Sequence, residues 1–356
     1  MKLGVNLGYW GLGGESDNIA VAQEADRLGY SVCWAAEVYG SDAATVLAYI
    51  AAHTERIDVG SAIFQIPART PAMTAMTAAT LDTLSGGRFR LGLGVSGPQV
   101  SEGWYGVKFD KPLARTREYV EIVRTALSRE RLAYDGTHWT LPLPDGPGKA
   151  LKLTIHPVRD RIPIYIAAIG PKNLEQTGRI ADGWLGIFFA PEQAEVSLAP
   201  LRAGRGGSLD GFDVGVLVPA QVTPSNSEAD IRTAADAQRA YTALYVGGMG
   251  SKDKNFYNQL ACRMGFESAA QEIQDKYLAG DPAGAAAAVP QDLIDSTTLL
   301  GTKERMADRL KAYAEAGVTT LTVAPGGFAP GRRGPGLEER LTMLRTVVEA
   351  AELAGV

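Results

Sequence analysis

Short apolar segments alternate with longer amphipathic segments along most of this chain. Residues 2–9, 31–36 and 57–64 are nearly all apolar, which is typical of strands buried on both faces of a parallel sheet. Between them, apolar residues recur at helical spacing, as at Ile19 and Ala22. The alternation predicts repeated strand–helix units.

The same alternation continues toward the C-terminus and predicts eight such units. The fourth strand begins at Arg88 and runs into a glycine-rich turn, and later strands are predicted at 162–168, 182–188, 213–221 and 318–323. Helices are predicted from Ser16 or Asp17 to Gly29, at 42–53, 71–84, 112–129 and 172–179, from the capping residue Thr302 to Gly317, and at 337–354. Eight units predict a (β/α)8 TIM barrel with insertions, and a doubly wound open sheet is the alternative.

Two segments interrupt the alternation. Residues 130–160 contain Asp135-Gly136, a dipeptide that favours tight turns, and we interpret them as a hairpin excursion. Residues 227–298 are mostly helical in pattern and are expected to form an insertion between strands seven and eight. We therefore expect residues 1–356 to form a single barrel domain that carries both segments.

Composition narrows the class of protein. The chain is 46% hydrophobic and 21% charged, with a net charge of -5, so a basic nucleic-acid-binding surface is not expected. No apolar segment approaches the roughly 18 residues that a membrane span requires. Cys33 and Cys262 are too few and too far apart for a disulfide framework, which favours a cytoplasmic setting.

The predicted strand ends, where a barrel of this kind places its active site, are poor in catalytic groups. Glu37 is the one carboxylate there, whereas a hydrolytic barrel that acts on sugars would need a pair. His53, His138 and His156 are widely separated and none ends a strand, so no metal site is expected. Apolar and amide groups around one carboxylate suit a flat organic cofactor that brings its own chemistry.

The glycine-rich turn after the fourth strand has two interpretations. Gly92, Gly94 and Gly97 have the spacing of a dinucleotide-binding fingerprint. That fingerprint needs a helix at the third glycine and an acidic residue about 20 positions later at a strand end, whereas Pro98 follows here. We therefore favour a tight packing turn, which is compatible with ligand binding beside it.

Several segments together resemble the bacterial luciferase-like superfamily and, within it, the oxidoreductases that use the deazaflavin coenzyme F420. The resemblance covers nearly the whole chain and is carried by residues 3–5, 24–30, 79–97, 163–168 and 181–184. It implies hydride transfer between the deazaflavin and a small organic substrate, and relatives are often homodimers. The alternatives are an FMN-dependent monooxygenase on the same barrel and a deazaflavin-binding protein without turnover.

The resemblance also implies which residues bind the cofactor. Relatives often have a non-prolyl cis bond at the end of strand three, which here corresponds to Ala62 and Ile63. Gln65 offers an amide to the polar edge of the ring, other positions offer backbone and small side chains, and the helix near Lys172 offers its N-terminus to a phosphate. The predicted cofactor-binding residues are Ala62, Ile63, Gln65, Ser96, Gly97, Ala167, Ala168, Gly170, Lys172 and Asn173. An ordinary trans strand, a solvated Lys172 and a solvated amide at Gln65 are the alternatives.

Relatives place a polar residue close to the reacting ring at the end of strand two, where this chain has Glu37. Partial burial there would raise the pKa of the Glu37 carboxyl and let it move a proton, so Glu37 is the predicted catalytic residue. The alternative is a structural carboxylate that accepts hydrogen bonds from a neighbouring loop. Residues 331–336 are expected to contact the tail of the cofactor, and the alternative is a charged surface turn. Trp10, Trp104 and Phe188 are expected to form the wall of a substrate pocket, and the alternative is plain core packing.

Overall fold

Eight parallel strands form a closed barrel in the computed structural model of the protein, which describes residues 1–10, 15–250, 252, 254–325 and 335–356. Each strand pairs with the next, and the last pairs with the first, so the sheet has no edge within the ring. The strands are β1 Lys2–Asn6, β2 Val32–Ala35, β3 Asp58–Ser61, β4 Phe89–Gly94, β5 Ile164–Ala167, β6 Gly183–Ile187, β7 Asp213–Val222 and β8 Thr320–Pro325. The (β/α)8 barrel is confirmed, and the open-sheet alternative is wrong.

Helices lie outside the ring of strands, and most of them fall between successive strands. They are α1 Glu15–Arg27, α2 Ala43–Ala52, α3 Pro71–Leu84, α4 Pro98–Gly103, α5 Pro112–Leu127, α6 Pro171–Ile180, α7 Glu195–Gly204, α8 Glu228–Ala243, α9 Phe256–Arg263, α10 Glu267–Leu278, α11 Pro282–Ala287, α12 Gln291–Thr297, α13 Lys303–Glu315 and α14 Leu337–Ala354. Among the helices described, none is long and apolar enough to cross a bilayer.

Three sequence predictions about the elements need correction. The third strand does not run to residue 64, because β3 ends at Ser61 and a separate two-residue strand, Phe64–Gln65, pairs with β4. Helix α1 begins at Glu15, ahead of both residues that were expected to cap it. Thr302 does occupy the N-cap of α13, but its hydroxyl donates to Glu304 Oε2 (2.7 Å) instead of accepting a helix N–H.

Large side chains fill the barrel interior on the amino-terminal side of the strand ends that form the rim. Val32, Trp34 and Tyr165 pack together there, and the edge of the Trp34 ring meets the Tyr165 ring at a centroid distance of 5.4 Å. A Cβ atom at Gly60 would lie 2.3 Å from Trp34 Cζ3, so the glycine makes room for this ring. The packed layer closes the barrel beneath the carboxyl ends of the strands.

A polar network closes the amino-terminal end of the barrel. Arg90 Nε donates to Asp58 Oδ2 (2.8 Å), and the Tyr165 hydroxyl donates to Asp213 Oδ2 (2.8 Å). Asp58 and Asp213 are the first residues of their strands. Because this network closes the amino-terminal end, the carboxyl end of the barrel is the side at which a ligand can enter.

Two segments extend from the barrel. Tyr134–Asp135 and Thr140–Leu141 pair in antiparallel fashion within residues 130–160 and form a short hairpin. Between β7 and β8, helices α8 to α12 bury a second apolar cluster that includes Ile273 and Leu293. A short strand, Leu299–Gly301, then pairs with β7 and leads into α13.

Candidate active site

A large cavity opens at the carboxyl ends of the barrel strands. Its volume is about 3000 Å³, whereas pockets for ordinary small ligands measure roughly 300–1000 Å³. Every barrel strand or the residues just after it contribute to the wall, as Asn6, Ala62, Ala167 and Gln221 illustrate. The cavity therefore has room for a large cofactor together with a substrate.

The rim formed by β3, β4 and β5 is lined by small residues. The Ala62–Ile63 peptide bond is cis, at the position that the family resemblance implied. Next to it, a Cβ atom at Gly94 would lie 2.1 Å from Ile63 Cδ1 and 3.6 Å from the Ala167 Cβ. The glycine thus lets Ile63 pack against β4, and backbone is exposed to the cavity on this side.

Ser96 lies on this rim in a left-handed conformation with φ of 57°, and its position is fixed by Gln65. The Ser96 hydroxyl donates to Gln65 Oε1 (2.7 Å), while Gln65 Nε2 donates to the Val38 carbonyl (2.6 Å) and the Tyr105 hydroxyl (2.9 Å). Gln65 is fully buried and does not line the cavity. The predicted direct contact of Gln65 with the cofactor stays a prediction that this geometry does not support, because its amide already binds Val38, Tyr105 and Ser96 beneath the rim.

Glu37 lines the cavity, but its carboxylate is bound on every side. Arg69 donates to Oε2 from Nη1 (2.6 Å) and to Oε1 from Nη2 (2.8 Å). The backbone N–H groups of Ala43 (3.2 Å) and Gln65 (3.3 Å) complete the set. These contacts match the structural alternative for Glu37, and its role in proton transfer stays a prediction.

Helix α6 points its N-terminus at the cavity. Gly170 is the N-cap, Pro171 begins the helix, and all of Gly170, Pro171, Lys172 and Asn173 line the cavity. The first-turn N–H groups of Lys172 and Asn173 have no carbonyl within the helix to bind, and the helix dipole places positive charge there. The N-terminus of α6 is therefore suited to an anionic group such as a phosphate. Asn173 Oδ1 is buried without a hydrogen-bond partner and, because it is an acceptor, would bind a donor such as a ligand hydroxyl.

The segment between β7 and β8 supplies an aromatic wall. Tyr241, Tyr245 and Tyr257 line the cavity, and Tyr245 lies between the other two rings at centroid distances of 4.6 and 4.7 Å. Phe188 packs behind them, 5.7 Å from the Tyr241 ring. Sequence reasoning missed these tyrosines, although Tyr241 and Tyr245 stand four residues apart just before a run of glycines, a spacing that places them on one helix face.

The expectations for the substrate pocket are met only in part. Trp10 lines the cavity, whereas Phe188 does not and lies behind the tyrosines. Trp104 is 65% exposed and does not line the cavity, although its ring lies 6.3 Å from the ring of Tyr39, which does. Arg332 and Arg333, proposed for the cofactor tail, lie outside the described residues. Within the described residues, no group of three or more histidine, cysteine or acidic side chains is arranged to hold a metal ion.

Comparison with known proteins agrees with this geometry. A luciferase-like monooxygenase family profile matches residues 8–320. A Mycobacterium tuberculosis protein provisionally named a coenzyme F420-dependent oxidoreductase is 41% identical over 337 residues, which is 92% of this chain and 95% of that protein. The 5,10-methylenetetrahydromethanopterin reductase of Archaeoglobus fulgidus is 28% identical over 87% of this chain and 89% of its own length. The solved structure of coenzyme F420-dependent tetrahydromethanopterin reductase from Methanopyrus kandleri superposes with a TM-score of 0.78 at 24% identity, over 97% of each chain.

Proposed function

The chain belongs to the luciferase-like monooxygenase family, and on that premise we propose that it is an oxidoreductase that transfers a hydride between coenzyme F420 and a small organic substrate. The 41% identity to a protein named as F420-dependent, over nearly the full length of both chains, supports the choice of this cofactor over FMN. When bound, the deazaflavin supplies the hydride chemistry, and the protein supplies binding, orientation and protection from water.

One observation carries the proposal: a rim of small residues and the open N-terminus of α6 share one cavity of about 3000 Å³. A planar ring needs close approach to backbone, which Ala62, Gly97 and Ala168 allow because they have little or no side chain. A Cβ atom added at Gly170 would meet nothing within 4 Å, so the space next to α6 is open for a bulky group. The cavity therefore fits a long cofactor that has a flat ring at one end and a phosphate further along.

Particular residues of this chain would hold the parts of the cofactor. Ile63 and Ser96 would contact the ring, together with Ala167 at the end of β5. The N–H groups of Lys172 and Asn173 would donate to the phosphate, and the Lys172 side chain, which is exposed, would add a positive charge. Substrate would then occupy the remaining space beside the aromatic wall.

The test is a binding titration of the purified protein with oxidised F420, reduced F420 and FMN, followed by a screen for turnover. We expect F420 to bind in the micromolar range or tighter and FMN to bind at least a hundredfold more weakly. Alcohols, ketones, enones and imines are then screened by the absorbance change of the deazaflavin. Tight binding of FMN alone would favour the monooxygenase, and F420 binding without turnover of any compound would favour a binding protein.

We also infer that two copies of the chain associate. Met73, Met76 and Leu84 lie on one side of α3 and are 50%, 52% and 61% exposed, an unusual apolar face for an isolated surface helix. Light scattering on the purified protein should give the mass of a dimer. Met76→Glu should shift the mass toward the monomer, and an unchanged mass would place the contact elsewhere.

A further inference from the structure

The cavity has two chemically different walls. In the closed ring of strands, β4 lies opposite β8, so the small-residue rim of β3 to β5 faces the half of the barrel formed by β6 to β1. Tyr9 follows β1, and Tyr245 and Tyr257 come from the segment between β7 and β8. All three line the cavity. A planar ring on the small-residue rim would leave its outer face toward these tyrosines.

The hydroxyl groups of these tyrosines differ from those of tyrosines elsewhere in the protein. The hydroxyls of Tyr30 and Tyr313 each donate to a backbone carbonyl, at 3.0 and 3.2 Å. Tyr9, Tyr245 and Tyr257 are half-buried and line the cavity, and within the part of the chain that the structure describes their hydroxyls bind no carbonyl or carboxylate. The Tyr245 hydroxyl instead shares a hydrogen bond with Tyr241. Their place in the cavity wall leaves these hydroxyls able to bind a ligand.

The backbone around Tyr245 is held in an unusual conformation. Residues Leu244–Gly248 form a π-helical turn, and such turns occur frequently at functional sites. Asn255 Nδ2 donates to the Tyr245 carbonyl (2.9 Å) and to the Val246 carbonyl (3.0 Å), which ties the turn to α9. The Tyr277 ring packs against Gly248, where a Cβ atom would lie 2.4 Å from Tyr277 Cε1. The turn thus fixes where the Tyr245 ring enters the cavity.

We propose that Tyr245 donates a hydrogen bond, and then a proton, to the carbonyl oxygen of a ketone substrate, with the hydroxyls of Tyr9 and Tyr257 completing the polar part of the substrate pocket. This proposal rests on the hydride transfer proposed above. It adds the class of the substrate's reacting group and the residue that protonates it.

A ketone that accepts a hydride at its carbonyl carbon also needs a proton at its oxygen, so the reaction requires a proton donor. The hydride would come from a C–H bond of bound reduced F420, which would be left oxidised, and the π electrons would move to the oxygen as the new C–H bond forms at the carbonyl carbon. The oxygen takes the proton of the Tyr245 phenol, and the phenolate regains a proton from solvent. Glu37 is poorly placed to serve because its two oxygens already accept four hydrogen bonds. No histidine lines the cavity among the described residues.

The protonation state of Tyr245 suits a donor. Burial raises the pKa of Tyr245, a hydrogen bond with Tyr241 lowers it in part, and the neighbouring Tyr39 raises it. The pKa of Tyr9 is raised by burial and by Tyr245 and Tyr39, and that of Tyr257 by burial and by Tyr245 and Tyr9. The phenols that face one another are therefore protonated at neutral pH and carry the hydrogen that a carbonyl oxygen accepts.

The experiment compares Tyr245→Phe with the control Tyr277→Phe, whose ring packs on the same turn but does not line the cavity. Cyclohexanone is the probe. With reduced F420, we expect Tyr245→Phe to lower kcat by roughly 10²- to 10³-fold, in the range of a general acid. Its Kd for F420 should stay within twofold of wild type. Tyr277→Phe should match wild type in both measurements.

A binding measurement keeps the test independent of turnover. Protein loaded with oxidised F420 should bind cyclohexanone about tenfold more tightly than methylenecyclohexane, which has the same shape but no acceptor oxygen. In Tyr245→Phe this preference should disappear. If wild type binds F420 and shows neither turnover nor this preference, or if Tyr245→Phe retains them, the assignment of Tyr245 is wrong. Failure of wild type to bind F420 at all would contradict the proposed function itself.

Discussion

Arg69 binds Glu37 through two parallel hydrogen bonds, 2.6 Å to Oε2 and 2.8 Å to Oε1, just below the cavity rim. The Glu37 residue is 6% exposed, and the guanidinium of Arg69 also lies 4.5 Å from the centre of the Phe64 ring. A paired, buried carboxylate of this kind stabilises the loop after β2, whereas a proton-transferring carboxylate needs a free oxygen toward the substrate.

Glu37→Gln should therefore lower stability. Removing the buried Glu37 charge leaves Arg69 with only the half-exposed Asp42 as an ion-pair partner, so we expect the free energy of unfolding in urea to fall by roughly 3 kcal/mol. The control Glu175→Gln breaks an exposed pair with Arg179 and should cost about 0.5 kcal/mol. A loss of turnover above a hundredfold with unchanged stability would instead support proton transfer by Glu37.

The barrel could be predicted from the sequence because its strands are apolar on both faces and its helices on one. These patterns can be recognised from the local sequence alone. They predicted β4, β5 and β8 to within a few residues of their observed bounds. The end of β3 was misplaced because the residues around Ala62 are as apolar as the strand before them. A cis bond at that point leaves no trace in the hydrophobic pattern.

The partners of the site residues could not be predicted in the same way. Gln65 was placed near the right position, but its burial depends on Val38, Tyr105 and Ser96, which reach it from separate segments. The pairing of Arg69 with Glu37 joins residues 32 positions apart and has no local spacing that signals it. The closed barrel brings these distant segments together, so their hydrogen bonds can be identified only once the structure is known.

Substitutions at two glycines should distinguish an effect on folding from an effect on cofactor binding. A Cβ atom at Gly92 would lie 1.9 Å from the Ser61 carbonyl oxygen, a backbone atom that cannot move without breaking β3 from β4. Gly92→Ala should therefore unfold the protein or lower its melting temperature by about 10 °C or more. Gly170→Ala should melt within about 2 °C of wild type, because the space there is open, while raising the Kd for F420 several-fold. Equal effects of both changes on melting would contradict this distinction.

The positive charge of Lys172 should strengthen F420 binding by attracting the phosphate of the cofactor. Lys172→Ala removes a cation from the first turn of α6, and we expect the Kd for F420 to rise about five- to tenfold at low salt. The difference should shrink in about 0.5 M NaCl, because Lys172 is exposed and its charge is screened. Lys303→Ala, at the first residue of α13, is the matched control and should bind F420 like wild type. A deazaflavin that lacks the phosphate should bind wild type and Lys172→Ala equally, and any large difference there would argue against the phosphate contact.

The stability of the barrel should depend on pH through Asp182. Burial alone would raise the pKa of its carboxyl, but hydrogen bonds from the Ile164 N–H (2.8 Å), Arg161 and Arg124 (3.0 Å) outweigh it and lower the pKa. Because the pKa is lower in the folded than in the unfolded chain, the contribution is complete above about pH 4 and is lost as the pH falls further. Asp182→Asn should cost about 2 kcal/mol of unfolding free energy at pH 7 and clearly less at pH 3.5. A cost that is the same at both pH values would show that charge is not the cause.

Gln65 should affect cofactor binding although it does not touch the cavity. Its Oε1 is the acceptor for the Ser96 hydroxyl, and Ser96 is held at a φ of 57°, a conformation that is uncommon for a residue with a side chain. Gln65→Met keeps the volume of the side chain but removes both ends of this link, so Ser96 loses its anchor and the rim becomes more variable. We expect the Kd for F420 to rise about tenfold. Ser96→Gly, which relieves the left-handed backbone and removes the same hydrogen bond, should weaken F420 binding by a similar factor while preserving stability. If Gln65→Met bound F420 like wild type, the rim would be fixed by its backbone alone and the buried amide would serve only to close the space beneath it.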